Sequence, residues 1–205
     1  MKLAYKNKAK EILQEILQVK TKSLPGGLPY LLFGEGKVSA QSLFIKIGRN
    51  FEKWFKFIVE DAGMTLLPDG VVKNVIGKKS KDIDLIFRDD NTIYYREMKS
   101  NLELDTEKLP ATYEKIQLIT KYVEKEYPGY KVDSSLLHWS VYEPSILPKK
   151  YNTKKKECAK HNVKVSYPID LFKTISVDIS DEEYKEFFLE LGRIYGKEYI
   201  NKTDS

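Results

Sequence analysis

Cysteine and histidine are nearly absent from this chain of 205 residues, which has one cysteine, Cys158, and two histidines. A single cysteine excludes an internal disulfide and favours a protein of the reducing cytoplasm. So few thiol and imidazole ligands also argue against a structural zinc site. Apolar runs that approach the roughly 20 residues of a membrane span are lacking, and the lysine-rich start of the chain has no signal-peptide core.

Charged residues are abundant and unevenly distributed. The chain is 41% hydrophobic and 32% charged, which is typical of a globular protein, and its length predicts a single domain over residues 1–205. Lys149–Lys164 holds seven lysines and one acid, and this segment accounts for the whole net charge of +5. Such a concentration of positive charge is typical of a segment that contacts phosphate groups.

Two short runs of β-branched and aromatic residues predict a β-hairpin in the middle of the chain. The runs are Ile83–Arg88 and Thr92–Met98, and Asp89-Asp90-Asn91 between them supplies the turn. If Asp90 and Asn91 form a two-residue turn, the pairing of every other residue in the hairpin follows.

This register places three charged side chains on one face of the hairpin. Asp84 lies directly across from Glu97, and Lys99 is two residues further along the same strand. Two carboxylates can hold Mg²⁺ beside a substrate phosphate, and a neighbouring lysine can stabilise the charge that develops during hydrolysis. The pattern therefore predicts hydrolysis of a phosphodiester bond without a covalent intermediate.

The same residues resemble the active-site motif of a known enzyme superfamily. Asp84, followed after twelve residues by Glu97-Met98-Lys99, resembles the motif of the PD-(D/E)xK nucleases, and most closely that of type II restriction endonucleases. Ile83 stands where the family usually has proline. The segment Lys99–Lys108 is also similar to the stretch after the motif in some restriction enzymes, so the resemblance covers roughly the middle third of the chain.

The resemblance implies an α/β fold in which helices flank a central mixed β-sheet, as in restriction endonucleases. It implies Mg²⁺ as cofactor, double-stranded DNA as substrate, a homodimer, and a partner DNA methyltransferase that protects host DNA. In nucleases with this motif a helix before the hairpin often sends one acid toward the metal. Glu52 is the candidate here, on a helix predicted from Ser39 to Ala62, and a solvated helix acid is the alternative.

Some assignments leave alternatives open. Asp82 shares the face of Asp84 but falls across from Lys99, so Asp84 is preferred as the metal ligand. Lys99 could instead be a simple salt-bridge partner of the two acids. Arg96 falls on the opposite face, where an apolar residue is expected. Either it pairs with an acid on a covering helix, or the register is shifted by one residue.

Lysines outside the motif are candidates for DNA contacts, with solvated loops as the alternative explanation. They are Lys78, Lys79, Lys81, Lys154, Lys155 and Lys156.

Hydrophobic periodicity predicts the remaining elements. The predicted helices cover residues 2–20, Pro110–Tyr127 and 181 to about 195, with Ser180 as the last N-cap. The predicted strands lie in Leu66–Ile76, Ser135–Glu143 and Val163–Tyr167. His138 lies in an apolar run, so we expect a buried core histidine rather than a catalyst.

The sequence therefore favours a Mg²⁺-dependent endonuclease, most specifically a type II restriction enzyme. A structure-specific repair or recombination nuclease would use the same chemistry on another substrate. A non-catalytic nucleic-acid-binding protein is the alternative from a different class. Replacing either acid is expected to relieve repulsion between the two carboxylates.

Overall fold

The computed structural model describes residues 1–18, 40–68, 70–72, 81–100, 109–140 and 149–203. Their elements are, in order, α1 (Leu3–Gln18), α2 (Ala40–Asp61), β1 (Thr65–Leu66), β2 (Gly70–Val72), β3 (Lys81–Ile83), β4 (Leu85–Arg88), β5 (Thr92–Lys99), α3 (Leu109–Glu126), β6 (Lys131–His138), α4 (Lys149–Lys160), β7 (Lys164–Ser166), α5 (Pro168–Thr174) and α6 (Asp181–Thr203). The chain divides into two compact units, one of Met1–Trp54 with Glu182–Ser205 and one of Phe55–Asp181.

A five-stranded mixed sheet in the order β1-β4-β5-β6-β7 is the core of the unit Phe55–Asp181. The pairs β1/β4 and β4/β5 are antiparallel, whereas β5/β6 and β6/β7 are parallel. Parallel neighbours need crossover connections, and α3 and α4 lie in the chain between the strands concerned. The predicted α/β architecture, a central mixed sheet flanked by helices, is confirmed at this level.

One face of the sheet packs against α3 and α4. Its core contains Ile86, Ile93, Tyr95, Leu136 and Val165 from the strands with Tyr113, Ile116, Ile119, Val123 and Cys158 from the helices. Strand residues of the opposite parity, such as Phe87 and Leu137, are fully buried as well. Both faces of the sheet are therefore covered, as expected where strands are parallel.

The β4–β5 hairpin has the predicted register. Leu85 pairs with Arg96 and Arg88 with Ile93. The Asp89 carboxylate closes the turn by accepting the N–H groups of Asn91 at 2.8 Å and Thr92 at 2.7 Å. An aspartate that bonds its own downstream backbone is a common turn former, so local sequence was sufficient to predict this hairpin.

The first strand of the hairpin is interrupted, which the sequence did not predict. β3 ends at Ile83 and pairs with β2, whereas β4 begins at Leu85 and pairs with β1 and β5. The intervening Asp84 is in a bend rather than a strand. One continuous strand over 83–88 is therefore wrong, because its two ends find different partners.

The strand predicted over 135–143 begins four residues earlier than expected and ends at His138, and residues 141–143 lie outside the described residues. β6 runs over Lys131–His138 because it pairs with the whole of β5, from Thr92–Lys131 to Lys99–His138. His138 is buried, as expected. The short strand β7 is confirmed, and in the region 66–76 the structure describes β1 and β2, with 73–76 outside the described residues.

The helices match the sequence in part. α1, α2 and α3 agree with prediction to within two residues, and Gly63 follows α2 with φ +83° as expected for a helix stop. Ser39, the predicted first residue of this helix, lies outside the described residues. α6 continues to Thr203, and the helices α4 and α5 were not predicted.

Aromatic side chains pack together in the other compact unit, Met1–Trp54 with Glu182–Ser205. The indole N–H of Trp54 donates to the backbone carbonyl of Tyr5 at 2.8 Å, and its ring stacks on Phe187 at 5.6 Å between centroids. These contacts join α1, α2 and α6. In the part of the chain that the structure describes, no helix combines the length and the apolar character that crossing a membrane requires.

Candidate functional site

Asp84 lies at the break between β3 and β4, and its carboxylate is held by the backbone of β5. The amide of Met98 donates to Asp84 Oδ2 at 2.8 Å. The β4–β5 ladder begins only at the Leu85–Arg96 pair, so the carboxylate takes a donor beyond the end of the ladder. The side chain is 14% exposed, and its other oxygen, Oδ1, faces the ammonium of Lys115 at 3.4 Å.

Glu97 lies across from Asp84 and is buried, with 1% of the residue exposed. Its Oε2 accepts the hydroxyl of Tyr95 at 2.9 Å. Tyr95, Glu97 and Lys99 alternate along β5 on the sheet face that α3 covers. The strand period therefore places a fixed hydrogen-bond donor and a lysine on either side of the buried acid.

Two ammonium groups approach the acids. Lys99 Nζ is 3.3 Å from Glu97 Oε1, on the side that the sequence predicted. Lys115 comes from α3, and its Nζ is 2.5 Å from Glu97 Oε2 and 3.4 Å from Asp84 Oδ1. The structure thus brings Asp84, Glu97 and Lys99 together as predicted and adds a cation between the two carboxylates.

The electrostatics of the acids are those of a crowded, poorly hydrated site. Burial raises the pKa of Glu97, and the charge of Asp84 raises it further, while Lys115 and Lys99 lower it without cancelling the rise. Burial lowers the pKa of Lys115, but the charges of Glu97 and Asp84 raise it above its ordinary value. Tyr95 has a pKa well above its usual range because of burial and the charge of Glu97, so its hydroxyl remains a donor.

Sequence reasoning missed Lys115 and Tyr95. The buried residues of α3 include Thr112, Ile116 and Ile119, and Lys115 is three residues from the first and four from the last. Its position therefore lies on the apolar stripe of the helix. A lysine on such a stripe needs a buried partner, and this was the signal that could have found it.

The donor set of this site fits a divalent cation. Asp84 Oδ1 and Glu97 Oε2 already converge on one positively charged atom, Lys115 Nζ. Hard carboxylate oxygens are the ligands that Mg²⁺ prefers, with waters completing the shell. Among the described residues, no group of three or more His, Cys, Asp or Glu side chains is close enough to hold a metal.

Two other acids were considered as metal ligands from the sequence, Glu52 and Asp82. Glu52 is half-buried on α2 and belongs to the unit that contains Met1–Trp54, so its role as a metal ligand stays a prediction. Asp82 is exposed on β3 and pairs with Val71. The preference for Asp84 over Asp82 therefore agrees with the geometry.

The candidate DNA-contacting lysines lie in three settings. Lys78 and Lys79 are outside the described residues, and Lys81 is the first residue of β3. The other candidates, Lys154, Lys155 and Lys156, lie on α4, where the last two are exposed. The ammonium of Lys155 is 5.7 Å from the ring centre of Tyr167. The lysine-rich segment therefore forms a helix on the sheet, with Cys158 buried and the ammonium groups of Lys155 and Lys156 at the surface.

Arg96 finds an acid on the neighbouring strand. Its guanidinium is buried and donates to the carbonyl of Asp133 at 2.6 Å and to the carboxylate of Asp133 at 2.9 Å. The predicted register is correct, so the explanation by a one-residue shift is wrong. Arg96 does pair with an acid, as the other explanation held, but not with one on a helix. The acid comes from β6 rather than from a covering helix.

Comparison with known proteins adds no relative, because no family model, curated protein or solved structure matches this chain.

Proposed function

We propose that this chain is a Mg²⁺-dependent endonuclease that hydrolyses phosphodiester bonds of double-stranded DNA, with the fold and the activity of a type II restriction enzyme. One observation carries the proposal. Two carboxylates, Asp84 and the buried Glu97, converge on a single cation at the break between β3 and β4, and Lys99 lies within 3.3 Å of Glu97. These are the three residues of the motif that resembles the PD-(D/E)xK nucleases.

The energetics of the site favour function over a purely structural role. Burying a carboxylate next to another carboxylate is costly, and here the cost appears as a raised pKa of Glu97. Groups whose pKa is shifted by burial and by a specific charge partner are concentrated at functional sites. A sheet that needed only packing would place apolar residues at these positions.

Each residue has a role in this proposal. Asp84 and Glu97 would hold Mg²⁺, which supplies positive charge next to the scissile phosphate and acidifies water. The Met98 amide and the Tyr95 hydroxyl keep the two carboxylates in place through hydrogen bonds of 2.8 and 2.9 Å. The Lys99 ammonium would orient the attacking water and offset the negative charge that develops on the phosphate.

A second candidate function is favoured by Lys115. Its ammonium contacts both acids, so a neutral cluster of two carboxylates and two lysines could simply stabilise a non-catalytic nucleic-acid-binding protein. That protein would need no metal and would tolerate Glu97→Gln. A structure-specific repair or recombination nuclease is the narrower alternative, since it differs only in substrate.

The partners of the proposed enzyme are those that the family resemblance implies. A palindromic site is matched by a two-fold symmetric protein, so we expect a homodimer in solution or on DNA. A DNA methyltransferase in the same system would protect the host. The exposed lysines Lys155 and Lys156 of α4 would contact phosphates, which position a protein on DNA without reading its sequence.

The test is cleavage of supercoiled and linear plasmid DNA in Mg²⁺. Glu97→Gln, Asp84→Asn and Lys99→Ala should each lower the cleavage rate by roughly 10² or more. This is the loss expected if each change removes a few kcal/mol of transition-state stabilisation. Glu124→Gln is the control, because it removes an exposed acid from the helix that carries Lys115. Full cleavage by Glu97→Gln would exclude the assignment.

The pattern of products separates the nuclease alternatives. Discrete bands from plain duplex plasmid are expected of a restriction enzyme, whereas cutting only at branched or damaged DNA would favour the repair nuclease. Sedimentation of the complex in Ca²⁺ tests the assembly. One chain bound per duplex would contradict the homodimer.

A further inference from the structure

Lys115 has an unusual position for a helix lysine. Its ammonium reaches from α3 to both Asp84, in the bend between β3 and β4, and Glu97 on β5, and its side chain is only 16% exposed. Its Nζ is within 3.4 Å of both Asp84 and Glu97, whereas Lys99 contacts Glu97 only. Of these two lysines, Lys115 alone bridges the proposed metal ligands.

The bridging ammonium lies where a metal ion would have to bind. A divalent cation needs oxygen ligands at about 2.0–2.6 Å, and Asp84 Oδ1 and Glu97 Oε2 are the oxygens that face each other across Lys115 Nζ. Both cations cannot occupy this space, because two positive charges would then be in contact. Lys115 must therefore leave before both acids can bind one metal.

We propose that Lys115 is a built-in counter-ion that occupies the metal position in the metal-free protein and is displaced when the metal binds. This inference rests on the proposed function, since it assumes that Asp84 and Glu97 are metal ligands. In the metal-free protein the Lys115 ammonium contacts both carboxylates and holds them close together. The metal then exchanges with an ammonium group instead of assembling a site from two repelling carboxylates.

The consequence is a site with reduced apparent metal affinity. A ligand that binds only the open form has its dissociation constant multiplied by the inverse of the open fraction. If Lys115 leaves the acids about one-tenth of the time or less, removing it should tighten metal binding roughly tenfold or more. DNA phosphates near the site would supply new partners for the displaced ammonium, which links metal loading to substrate binding.

The main experiment measures metal binding by the full chain without DNA. Tb³⁺ luminescence excited through tyrosine is a suitable probe, because the Tyr95 hydroxyl is 2.9 Å from Glu97 Oε2, and displacement by Mg²⁺ then gives the Mg²⁺ affinity. Glu97→Gln defines the signal that comes from this site. We expect Lys115→Met to bind at least about tenfold more tightly than the wild type, and Lys115→Arg, which keeps the bridging charge, to resemble the wild type.

Lys99→Met is the matched control for a general charge effect. It also removes one ammonium near Glu97, but that ammonium does not bridge the acids. A much smaller gain than in Lys115→Met supports displacement, whereas equal gains overturn it. If Lys115→Met does not fold, Lys115→Gln keeps a hydrogen-bond donor without the charge, and the same direction is expected.

A second readout follows the lysine itself. Acetylation of the wild-type protein with a lysine-specific reagent, followed by peptide mapping, should label Lys115 faster when Mg²⁺ is added, because the displaced ammonium enters solvent. Unchanged or slower labelling in protein that binds the metal would overturn the inference while leaving the proposed function intact. If no variant shows Tb³⁺ binding that depends on Glu97, the metal site itself is refuted, and the proposed function fails with the inference.

Discussion

Arg96 and Glu97 are neighbours on β5, and both are buried, but they meet opposite electrostatic surroundings on the two faces of the sheet. Arg96 has one acid partner, Asp133, whose carbonyl and carboxylate both accept from its guanidinium. Glu97 faces another acid, Asp84, and shares Lys115 with it, while Lys99 contacts Glu97 as a second cation. One face thus carries a matched pair of charges, and the other carries a repulsive pair neutralised by lysine side chains.

The two carboxylates respond in opposite directions. Burial raises the pKa of Asp133, but the charge of Arg96 and its hydrogen bonds lower it below the ordinary value. Burial and the Asp84 charge raise the pKa of Glu97 despite the lysines. A carboxylate that gains a cation partner has a lowered pKa, whereas one that is buried beside another carboxylate has a raised pKa.

The largest expected difference between the two faces is in stability. Arg96→Met removes two hydrogen bonds to Asp133, one of them to its carboxylate, and should lower the free energy of unfolding by roughly 2 kcal/mol. Glu97→Gln should change it by less than about 1 kcal/mol, because lost attraction to Lys115 is offset by relief of repulsion with Asp84. Urea denaturation measures both, and equal losses would contradict the comparison.

This expectation modifies the one drawn from sequence. Relief of carboxylate repulsion alone predicts that replacing an acid stabilises the protein. The bridge that Lys115 makes to both acids opposes this gain, so we expect little net change rather than stabilisation.

Replacing lysines of α4 provides the next largest effect. Replacing Lys154, Lys155 and Lys156 together with Gln should reduce the slope of log affinity against log salt by roughly 1–3 units, since each lost phosphate contact contributes about 0.9. The measurement is DNA affinity against salt, with Ca²⁺ replacing Mg²⁺ to prevent cutting. Cleavage at saturating DNA should change little.

A charge-matched control comes from three lysines that are exposed elsewhere in the same unit, Lys121, Lys125 and Lys131. Their replacement by Gln should leave the salt slope nearly unchanged. If the two triple variants behave alike, α4 makes no discrete phosphate contacts, and the contacts would be sought at Lys78, Lys79 and Lys81.

A smaller effect distinguishes the faces by pH. The pKa of Asp133 is lowered from 3.8, so its stabilising contribution is present above that pH and is lost as the pH falls through the folded value. The pKa of Glu97 is raised from 4.5, so its contribution is present below that pH and is lost as the pH rises through the folded value.

The free energy of unfolding of each variant relative to the wild type, measured from about pH 3 to 7, should therefore change in opposite directions for the two carboxylates. Asp133→Asn should become less stable relative to the wild type as the pH rises, and Glu97→Gln should become more stable. Parallel trends for the two variants would show that the two carboxylates are in equivalent surroundings.

The smallest expected effect concerns Glu52. If it holds the metal through water, Glu52→Gln should slow cleavage moderately, and more at low Mg²⁺ than at saturation. Glu60→Gln is a suitable control, because Glu60 is an exposed acid on the same helix. An unchanged Mg²⁺ dependence of Glu52→Gln would limit the metal ligands to Asp84 and Glu97.

Local sequence determined the hairpin and the face its charges share. Asp89 bonds the backbone of the next residues and fixes a two-residue turn. The strand period of two then places Asp84, Glu97 and Lys99 on one side. The helices α1, α2 and α3 could also be predicted from the sequence, because their apolar stripes repeat at helical spacing over 16 or more residues.

The tertiary structure alone decided which partners the buried charges meet. Asp133 reaches Arg96 only because β6 pairs in parallel with β5, and Lys115 reaches the acids only because α3 crosses over that sheet face. Both contacts join residues far apart in sequence, and no local period encodes such a pairing. The helix α4 was missed for a related reason. Its sequence is rich in lysine and has no clear apolar stripe, and its helical structure is recognised from the packing of Cys158 in the core of the sheet.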